Sequence, residues 1–386
     1  TGNQIEVISG IRRCGKSTVL NEIRQKNKEK DYYMNFDDDR LLHFRVGDFQ
    51  LLYELFIELY GEQNTFYFDE IQNVKDWERF VRRLHDYGNK IYITGSNASM
   101  LSYELGTHLT GRYISHELYT FSFEEYLKFN KVSVNNEKVF TTLGKATLKK
   151  HFFNYIAKGG FPEYLKNNNN EYLKSLYESI LYRDVLVRNK LAKENEMREL
   201  VFFISSNLAR PITYNSLSKS IGVKNASTVK NYLRFLENSY LIFQISKYDY
   251  SVKKQMSNPK KVYFIDNALA SRLGFHFSED KGRFLENLVF IELKRRGFEI
   301  FYHKALKECD FVLREGKNIT QAIQVSLSLN DSKTRVREIS GLVEAINSYN
   351  LQSGLILTED EEETFTVNDI KIDVLPVWKW LLIKNK

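Results

Sequence analysis

One octapeptide near the start of the chain constrains the fold more than any other feature. The segment Gly10-Ile-Arg-Arg-Cys-Gly15-Lys16-Ser17 follows a strand-like run, residues 5–9, and opens a helix-length stretch, residues 16–29. In that context the pattern G-x-x-x-x-G-K-[S/T] is typical of a phosphate-binding loop, because its glycines let backbone N–H groups converge on phosphate oxygens. The sequence therefore predicts an α/β domain that binds a nucleotide at this turn.

The residues of this loop have distinct expected roles. We expect the Lys16 ammonium to reach the β- and γ-phosphates of ATP and the Ser17 hydroxyl to ligate Mg²⁺. The N-terminus of the following helix adds positive potential for the phosphates. The residues expected to bind the nucleotide are Gly10, Arg12, Arg13, Cys14, Gly15, Lys16, Ser17 and Thr18. The alternative is a glycine-rich turn that binds nothing.

Two carboxylates follow the apolar run of residues 65–68. Asp69 is expected to hold Mg²⁺ through water, and Glu70 to orient or deprotonate the attacking water. Ordinary polar caps at the end of a strand are the alternative. Together with the phosphate-binding loop, the pair favours ATP hydrolysis over passive nucleotide binding.

A polar turn follows the next strand-like run, residues 90–94. Asn97 is the first candidate, and Ser96 the second, to contact the γ-phosphate or the attacking water. A simple turn without such a role is nearly as compatible with the sequence.

Several arginines are candidates for neutralising charge in the transition state of phosphoryl transfer. Arg112 is the first choice, in cis or from a neighbouring subunit, and Arg12, Arg13 and Arg183 remain alternatives. An exposed arginine without a catalytic role also fits the sequence. The three aspartates at residues 37–39 are expected to form a solvated turn.

Strand-like and helix-like segments alternate through residues 1–165. That order predicts a parallel sheet with helices on both faces. The expected strands are residues 5–9, 32–36, 65–68, 90–94 and 115–120, and the expected helices are residues 16–29, 48–60 and 76–87. Because Thr1 rather than methionine opens the sequence, we expect part of the natural N-terminus to be absent.

Residues 166–281 are predicted to form a helical linker and a winged helix-turn-helix. Residues 215–221 predict a first helix that Gly222 ends, and a second helix follows Asn225, a favourable N-cap. Apolar side chains recur in the second helix at i, i+3, i+4 and i+7, which predicts one buried stripe. The stripe consists of Val229, Tyr232, Leu233 and Leu236.

The opposite face of that second helix carries polar and basic side chains of the types that reach phosphates or base edges. Two extended stretches, residues 240–247 and 260–266, are expected to form a wing with lysines near its tip. The candidate DNA-contacting residues are Ser227, Thr228, Lys230, Asn231, Arg234, Lys253, Lys254, Lys260 and Lys261. A structural or protein-docking role for this module is the alternative.

Residues 282–386 predict a smaller, restriction-endonuclease-like α/β domain. Glu286, Asp310, Gln324 and Ser326 fall where such folds place their acid, their Asp and their Glu-x-Lys. Metal-dependent phosphodiester cleavage needs clustered carboxylates, and a lysine that steadies the developing charge. Because Gln324 replaces a carboxylate and Ser326 the lysine, we expect a retained fold without nuclease activity. Glu308 is expected to point away from this site.

These motifs, taken in order, resemble those of a known family. The phosphate-binding loop is followed by Asp69-Glu70-Ile71-Gln72, Thr94-Gly95-Ser96, Gly111-Arg112 and Gly159-Gly160-Phe161-Pro162-Glu163. Over essentially its whole length, the chain resembles the bacterial and archaeal AAA-type ATPases that carry a winged helix and a C-terminal nuclease-like domain of unknown function. The resemblance implies an ATPase domain and the same winged helix, and relatives of this type often form rings.

The net charge of +7 is concentrated in the middle of the chain. Residues 210–261 carry 10 basic and 2 acidic residues, whereas residues 1–165 carry 22 of each sign. An anionic partner is therefore expected at the winged helix, and DNA is the leading candidate. A protein partner without DNA binding is the alternative.

Cysteine use and hydropathy bear on the compartment. Two distant cysteines, Cys14 and Cys309, cannot form a disulfide framework, and no apolar run approaches the ~18 residues that a transmembrane helix needs. A cytoplasmic protein is expected, and a homo-oligomer is compatible with an arginine that acts from a neighbour.

The leading hypothesis is an ATP hydrolase, with ATP and Mg²⁺ as cofactors, whose nucleotide state gates a DNA-associated function. A slow nucleotide-gated protein-interaction module and an ATP-controlled nuclease are the alternatives.

Overall fold

The chain divides into two compact units. The structure is a computed structural model that describes residues 4–98, 109, 111–133, 141–276 and 280–383. Unit 1 comprises residues 1–120, 178–190 and 235–241, and unit 2 comprises residues 121–177, 191–234 and 242–386. The three-part division predicted at residues 165 and 281 stays a prediction.

Unit 1 is built on a five-stranded sheet with the strand order β2-β3-β4-β1-β5. Every pair of neighbouring strands is parallel, which confirms the predicted sheet type. The strands are β1 (Ile5–Gly10), β2 (Tyr33–Asn35), β3 (Thr65–Asp69), β4 (Lys90–Gly95) and β5 (Tyr113–Leu118). Since the carboxyl ends of parallel strands meet at one edge, the turns after β1, β3 and β4 lie close together.

Side chains alternate between two cores along the strands of this sheet. Phe66 and Phe68 of β3 pack into the larger core with Trp77, whereas Tyr67 faces a smaller core with Leu20. A strand buried on both faces explains why β3 reads as a continuous apolar run. The helices of unit 1 are α1 (Lys16–Lys26), α2 (Phe49–Tyr60) and α3 (Trp77–Asp86), with short 3₁₀ segments at Asp39–Leu41, Val46–Asp48 and Ile71–Asn73.

A π-helical segment, Ile180–Val187, also belongs to unit 1 although it lies far along the chain. Segments of this geometry are rare and occur often at functional sites. Its Asp184 is buried and contacts the phosphate-binding loop.

Unit 2 begins with helices and a three-stranded sheet of order β6-β8-β7. The strands are β6 (Pro211–Ile212), β7 (Ile242–Ser246) and β8 (Lys260–Phe264). The helices of this part of the chain are α4 (Phe123–Phe129), α5 (Thr142–Lys158), α6 (Pro162–Asn167), α7 (Asn170–Ser179), α8 (Glu194–Ser206), α9 (Tyr214–Ser220) and α10 (Ala226–Asn238). Helices α9 and α10 followed by antiparallel β7 and β8 have the order of the predicted winged helix-turn-helix.

The two helices of this module follow the residue pattern that predicted them. Gly222 has φ +68°, a left-handed conformation that ends α9. The stripe on α10 is buried, as its spacing predicts: Val229, Tyr232, Leu233 and Leu236. The expected wing tip differs, because a short helix, α11 (Val252–Ser257), stands between β7 and β8.

The remainder of unit 2 is a six-stranded mixed sheet with the order β13-β14-β12-β11-β10-β9. Strands β9 to β11 pair antiparallel, β11 pairs parallel with β12, and β12 pairs parallel with β14. The strands are β9 (Glu299–Lys304), β10 (Glu308–Glu315), β11 (Asn318–Val325), β12 (Ser353–Thr358), β13 (Glu363–Val367) and β14 (Ile370–Pro376). The helices are α12 (Asn267–Leu273), α13 (Lys281–Arg295), α14 (Ser332–Tyr349) and α15 (Val377–Trp380).

The hairpin of β13 and β14 is a feature that the sequence reading missed. Asn368 and Asp369 both have positive φ, +50° and +64°, in the two-residue loop that joins the strands. Two left-handed residues are what a type I′ hairpin turn requires, and Asn and Asp adopt that conformation more readily than most residues. Within the described part of the chain, no helix has the length and apolar character needed to cross a membrane.

Candidate nucleotide site and C-terminal carboxylate cluster

The phosphate-binding loop leaves β1 through a glycine that no other residue can replace without strain. Gly10 has φ +150°, and a Cβ there would lie 2.2 Å from the carbonyl oxygen of Leu118 on β5. Gly15 precedes α1 with φ +112°, also outside the range of ordinary side-chain-bearing residues. The two glycines therefore fix the loop between the first strand and the first helix, as the motif predicts.

Lys16 lies at the start of α1 and is buried. Its Nζ is 3.2 Å from Glu70 Oε1 and 3.2 Å from the carbonyl oxygen of Ile11. Burial alone would lower the pKa of Lys16, but the carboxylate of Glu70 outweighs it and raises that pKa above its ordinary value. The ammonium is therefore charged and held at the carboxyl edge of the sheet.

Glu70 follows β3 directly and adopts a left-handed backbone conformation, with φ +51°. Burial raises its pKa, but Lys16, Gln72 and Arg12 together lower it to about 2. The Gln72 amide donates to Glu70 Oε2 at 2.5 Å and lies 3.4 Å from Ser96 Oγ. The carboxylate is thus ionised and oriented by a neighbour to which the sequence reading assigned no role.

Asp69, the last residue of β3, is fixed by the adjacent strand. The Thr94 hydroxyl on β4 donates to Asp69 Oδ1 at 2.5 Å and accepts a hydrogen bond from the Glu70 backbone N–H at 2.9 Å. One hydroxyl therefore orients both acidic positions. In the sequence, Thr94 is recognisable only as a polar residue near the end of β4. Its role becomes clear once β4 is known to pair with β3.

Arg12 of the loop contacts the π-helical segment. Its guanidinium donates to both carboxylate oxygens of Asp184, at 2.9 and 3.0 Å, and Asp184 is 2% exposed. Asp37 also takes part, since its carboxylate lies 3.7 Å from Arg12 and 2.7 Å from Arg183. Asp37 therefore departs from the solvated turn expected for residues 37–39, because it faces two arginines from distant segments, whereas Asp39 is exposed as expected.

The remaining candidates of the nucleotide site occupy different environments. Ser17, Thr18 and Arg13 are exposed on the loop and the first turn of α1, whereas burial raises the pKa of the Cys14 thiol. Asn97 and Ser96 are buried after β4. The Arg112 guanidinium lies 3.4 Å from the Asp86 carboxylate. The contacts described for Arg112 therefore do not include the phosphate-binding loop.

The candidate DNA-contacting residues divide into two groups. Those on the accessible surface are Ser227, Lys230, Asn231, Arg234, Lys253 and Lys254, with Thr228 half-buried. The Lys260 ammonium instead donates to Ser246 Oγ at 2.8 Å and to the Gln255 carbonyl at 2.6 Å. Lys261 is buried among carboxylates and therefore leaves the set that can reach a nucleic acid.

The C-terminal candidates meet at one end of the six-stranded sheet. Glu286 on α13 and Asp310 on β10 both contact Lys261. Gln324 on β11 accepts from the Asp310 backbone N–H at 3.2 Å and donates to Glu338 of α14 at 2.5 Å. Ser326 lies just past β11 and donates to the carbonyl oxygen of Ser328 at 3.0 Å.

Glu308 also belongs to this cluster, with Oε1 3.0 Å from the Lys261 ammonium. The prediction that it points away is wrong, because residues two apart in a strand share a face and Glu308 lies two residues before Asp310. A pocket of about 510 Å³ adjoins the cluster. Basic side chains in its lining are Arg283, Lys304, Lys307 and Arg337.

Comparison with known proteins agrees with this architecture. A family model described as an AAA domain matches residues 2–127, and one described as a domain of unknown function (DUF8612) matches residues 149–280. An uncharacterized protein of Methanocaldococcus jannaschii is 36% identical over 98% of this chain and 88% of its own length. An uncharacterized protein of Haemophilus influenzae is 28% identical over 98% of this chain and 94% of its own.

A solved structure of the Aeropyrum pernix Orc1 protein in complex with DNA covers 69% of this chain and 85% of its own, with 11% identity. Its TM-score of 0.29 is too low to assign a common fold. The family instead follows from the AAA-domain model at residues 2–127 and from the archaeal relative, which matches over 98% of this chain. With its phosphate-binding loop presented by a five-stranded parallel sheet, the chain belongs to the family of AAA-type ATPases.

Proposed function

We propose that the protein hydrolyses ATP with Mg²⁺, and that its nucleotide state gates a DNA-associated function of its C-terminal half. The observation that carries the first part is the contact of 3.2 Å between the Lys16 ammonium and the Glu70 carboxylate. It brings the phosphate-binding group of the loop and the acid after β3 to the same point.

The Lys16 ammonium has two competing anions in this scheme. A γ-phosphate would compete with Glu70 for the Lys16 ammonium, because phosphate and carboxylate oxygens both accept charge-assisted hydrogen bonds. When Lys16 turns to the phosphate, Glu70 loses the cation that lowers its pKa most, while the burial that raises it remains. Nucleotide binding thereby makes Glu70 more basic, and Gln72 keeps it oriented toward an attacking water.

The residues near the loop fit a magnesium nucleotide. A hydroxyl, Ser17, and a carboxylate, Asp69, are oxygen ligands of the kind that Mg²⁺ prefers. Mg²⁺ supplies charge neutralisation on the phosphate oxygens when it is bound. Asn97 is proposed to contact the γ-phosphate, and Arg112 to act from a neighbouring subunit.

ATP turnover by the purified protein, residues 1–386, tests this proposal. We expect Mg²⁺-dependent release of phosphate. Glu70→Gln should retain ATP binding and lower kcat by ~10²–10⁴-fold, the range for loss of a general base. Lys16→Ala should weaken ATP binding itself. The exposed Glu62→Gln is the matched control and should behave as wild type. Absence of turnover in wild type, with and without DNA, would overturn the proposal.

Support for DNA association comes from the winged helix. Residues 210–261 carry 10 of the basic residues against 2 acidic ones. Exposed Lys230 and Arg234 lie on α10, opposite its buried stripe, and exposed Lys253 and Lys254 lie on α11. This set is smaller than the charge count suggests, because Lys261 is neutralised internally and Lys260 is bonded to its own module.

The Arg12–Asp184 ion pair supports the gating part of the proposal. Asp184 lies in the π-helical segment that leads along the chain into α8 and the winged helix. A nucleotide that draws Arg12 toward its phosphates would have to weaken this buried pair and leave Asp184 with Arg188, 3.7 Å away, as its cation. The segment therefore offers a physical route from the loop to the C-terminal half.

Filter binding with a DNA duplex tests both statements. A protein that neutralises ~5 phosphates should lose affinity with salt at a log–log slope of roughly −4 to −5. An ATP analogue should change that affinity in wild type and change it less in Asp184→Asn. Equal affinities with and without the analogue would remove the gating part and leave the DNA-binding part standing.

A protein-interaction role without DNA binding is the second candidate. The observation that favours it is an apolar surface on and near α2. The exposed side chains are Leu42, Val46, Leu51, Leu55, Ile57, Leu59 and Tyr60. Leu51, Leu55 and Leu59 are four residues apart and so share one face of α2, and exposed apolar faces are typical of interaction sites. Negligible DNA affinity at low salt, in a protein that hydrolyses ATP, would favour this candidate over the first.

A further inference from the structure

A buried lysine lies at the centre of the carboxylate cluster in unit 2. Lys261, on β8, is 1% exposed. Its Nζ lies 2.9 Å from Asp310 Oδ1, 3.0 Å from Glu286 Oε1 and 3.0 Å from Glu308 Oε1. An ammonium has three N–H donors, so each donor can meet one carboxylate. The donors and acceptors of this group are matched in number.

Each carboxylate also has a second donor. The Tyr263 hydroxyl donates to Glu286 at 2.7 Å, the Val325 backbone N–H to Asp310 at 3.1 Å, and the Lys304 ammonium to Glu308 at 3.2 Å. The three acids come from α13 and β10, whereas the lysine comes from the three-stranded sheet. A cluster satisfied in this way holds its members in place.

The electrostatics keep the ammonium charged. Burial would lower the pKa of Lys261, but Asp310 and Glu286 outweigh it and raise that pKa well above its ordinary value. Among the residues that the structure describes, no group of three or more His, Cys, Asp or Glu is arranged to hold a metal ion. The point on which the carboxylates converge is the point where Lys261 ends.

We propose that Lys261 is the resident cation of this cluster and stands in place of both the divalent metal and the motif lysine of a metal-dependent phosphodiesterase. Two sequence changes agree with this arrangement: Gln324 lacks the charge of a metal-binding carboxylate, and Ser326 lacks an ammonium. The cation returns from a different strand, 49 residues before Asp310 in the chain.

The consequence is a pocket that activates no water for phosphodiester cleavage. A cation from within the chain occupies the centre of its acidic floor, and Lys261 ties β8 to α13 and β10. The carboxylates of the nuclease-like site thus hold β8 of the winged helix against the larger sheet. A divalent metal on these three carboxylates would have to displace Lys261, because the ammonium already occupies the point on which they converge.

Metal binding by Lys261→Met tests the proposal, since methionine keeps the length of the side chain and removes its charge. The whole chain of residues 1–386, without nucleotide, is titrated with Mn²⁺, and binding is followed by electron paramagnetic resonance of the free ion and by thermal unfolding. Wild type should gain no site that depends on Asp310. Lys261→Met should unfold at a lower temperature, gain one Mn²⁺ site, and regain thermal stability as Mn²⁺ is added.

Two controls define the outcome. Lys261→Met with Asp310→Asn should bind Mn²⁺ at least about tenfold more weakly than Lys261→Met alone, because it lacks a ligand. Lys261→Arg keeps a cation and should stay free of metal. A folded Lys261→Met that gains no Mn²⁺ site would overturn the proposal.

The wild-type comparison decides the matter even if Lys261→Met fails to fold. Wild type and Asp310→Asn should bind Mn²⁺ alike, and neither should nick plasmid DNA. Mn²⁺ binding or nicking by wild type that disappears in Asp310→Asn would identify a working metal site and overturn the proposal. ATP turnover is a separate readout, so failure here leaves the proposed ATPase untouched.

Discussion

Each unit has a lysine buried beside carboxylate groups, Lys16 in unit 1 and Lys261 in unit 2. The two lysines differ in how many of their N–H donors are already used by the protein. Lys16 faces one carboxylate, Glu70, and a backbone carbonyl. Lys261 faces three carboxylates at 2.9–3.0 Å. The first ammonium keeps donor capacity for another anion, whereas all three donors of the second are used within the protein. Lys16 can therefore accept another anion in place of a present partner, whereas Lys261 remains bound to the carboxylates around it.

The acidic partners of the two lysines differ in the same sense. Burial opposes ionisation of both Glu70 and Glu286, yet the pKa of Glu70 is lowered to about 2 while that of Glu286 is raised to about 7. Glu286 has Asp310 as a second anion beside it, which Lys261 only partly offsets. Lys261 therefore keeps the pKa of Glu308 below its usual value but does not keep that of Glu286 from rising.

Replacing each lysine should reveal the largest difference between the two sites. Lys261→Met leaves several buried acids without their cation and should lower the free energy of unfolding by ~3–5 kcal/mol. Lys16→Met leaves Glu70 with Gln72 as a donor and should cost less, ~1–3 kcal/mol. Urea unfolding of both variants measures the difference. Equal losses would mean that the number of carboxylates does not govern the cost.

Thr94→Val should lower both the stability of unit 1 and its ATP turnover. Valine removes the donor to Asp69 and leaves the buried Glu70 backbone N–H without its acceptor, which costs ~1–3 kcal/mol of stability. Since both acids lose their common anchor, kcat for ATP should fall by about tenfold or more. Steady-state ATP turnover measures the effect. Thr94→Ser keeps the hydroxyl and should retain most of the activity.

The dependence of stability on pH should have opposite signs at the two sites. The lowered pKa of Glu70 stabilises the fold above its unfolded value of 4.5, and this contribution is lost as the pH falls toward 2. The raised pKa of Glu286 stabilises the fold below 4.5, and this contribution is lost as the pH rises through about 7. Both effects follow from proton linkage.

Unfolding free energies measured across the pH range test these signs. Glu286→Gln should remove a loss on the order of 1–3 kcal/mol between acid and neutral pH and so flatten that part of the profile. Glu70→Gln should flatten the acid limb instead. A Glu286→Gln profile parallel to that of wild type would show that Lys261 keeps Glu286 ionised throughout.

The smallest expected effect concerns the exposed lysines, which have no buried carboxylate to neutralise. Lys230→Gln should reduce the salt slope of DNA binding by about 1 and weaken binding by a few fold at low salt. Lys317→Gln, an exposed lysine in the turn between β10 and β11, is the charge-matched control. Equal effects of both substitutions would show nonspecific attraction rather than contact through α10.

Features set by neighbours along the chain were predictable from the sequence. The loop from Gly10 to Ser17, the acids at the end of β3 and the buried stripe of α10 all depend on local spacing, and the structure places each as expected. The hairpin turn at Asn368 and Asp369 was also readable, since two residues that tolerate positive φ stand between alternating strands.

Contacts between distant segments needed the tertiary structure. Thr94, Asp184 and Lys261 lie 25, 172 and 49 residues from the partners Asp69, Arg12 and Asp310. Their roles follow from strand order, from the return of the π-helical segment and from the packing of β8 against β10. Spacing along one element encodes which face a side chain occupies, but not which element will lie opposite it. The sequence by itself therefore determined the pattern of the phosphate-binding loop and the two acids that end β3, and only the fold decided which carboxylates each buried lysine contacts.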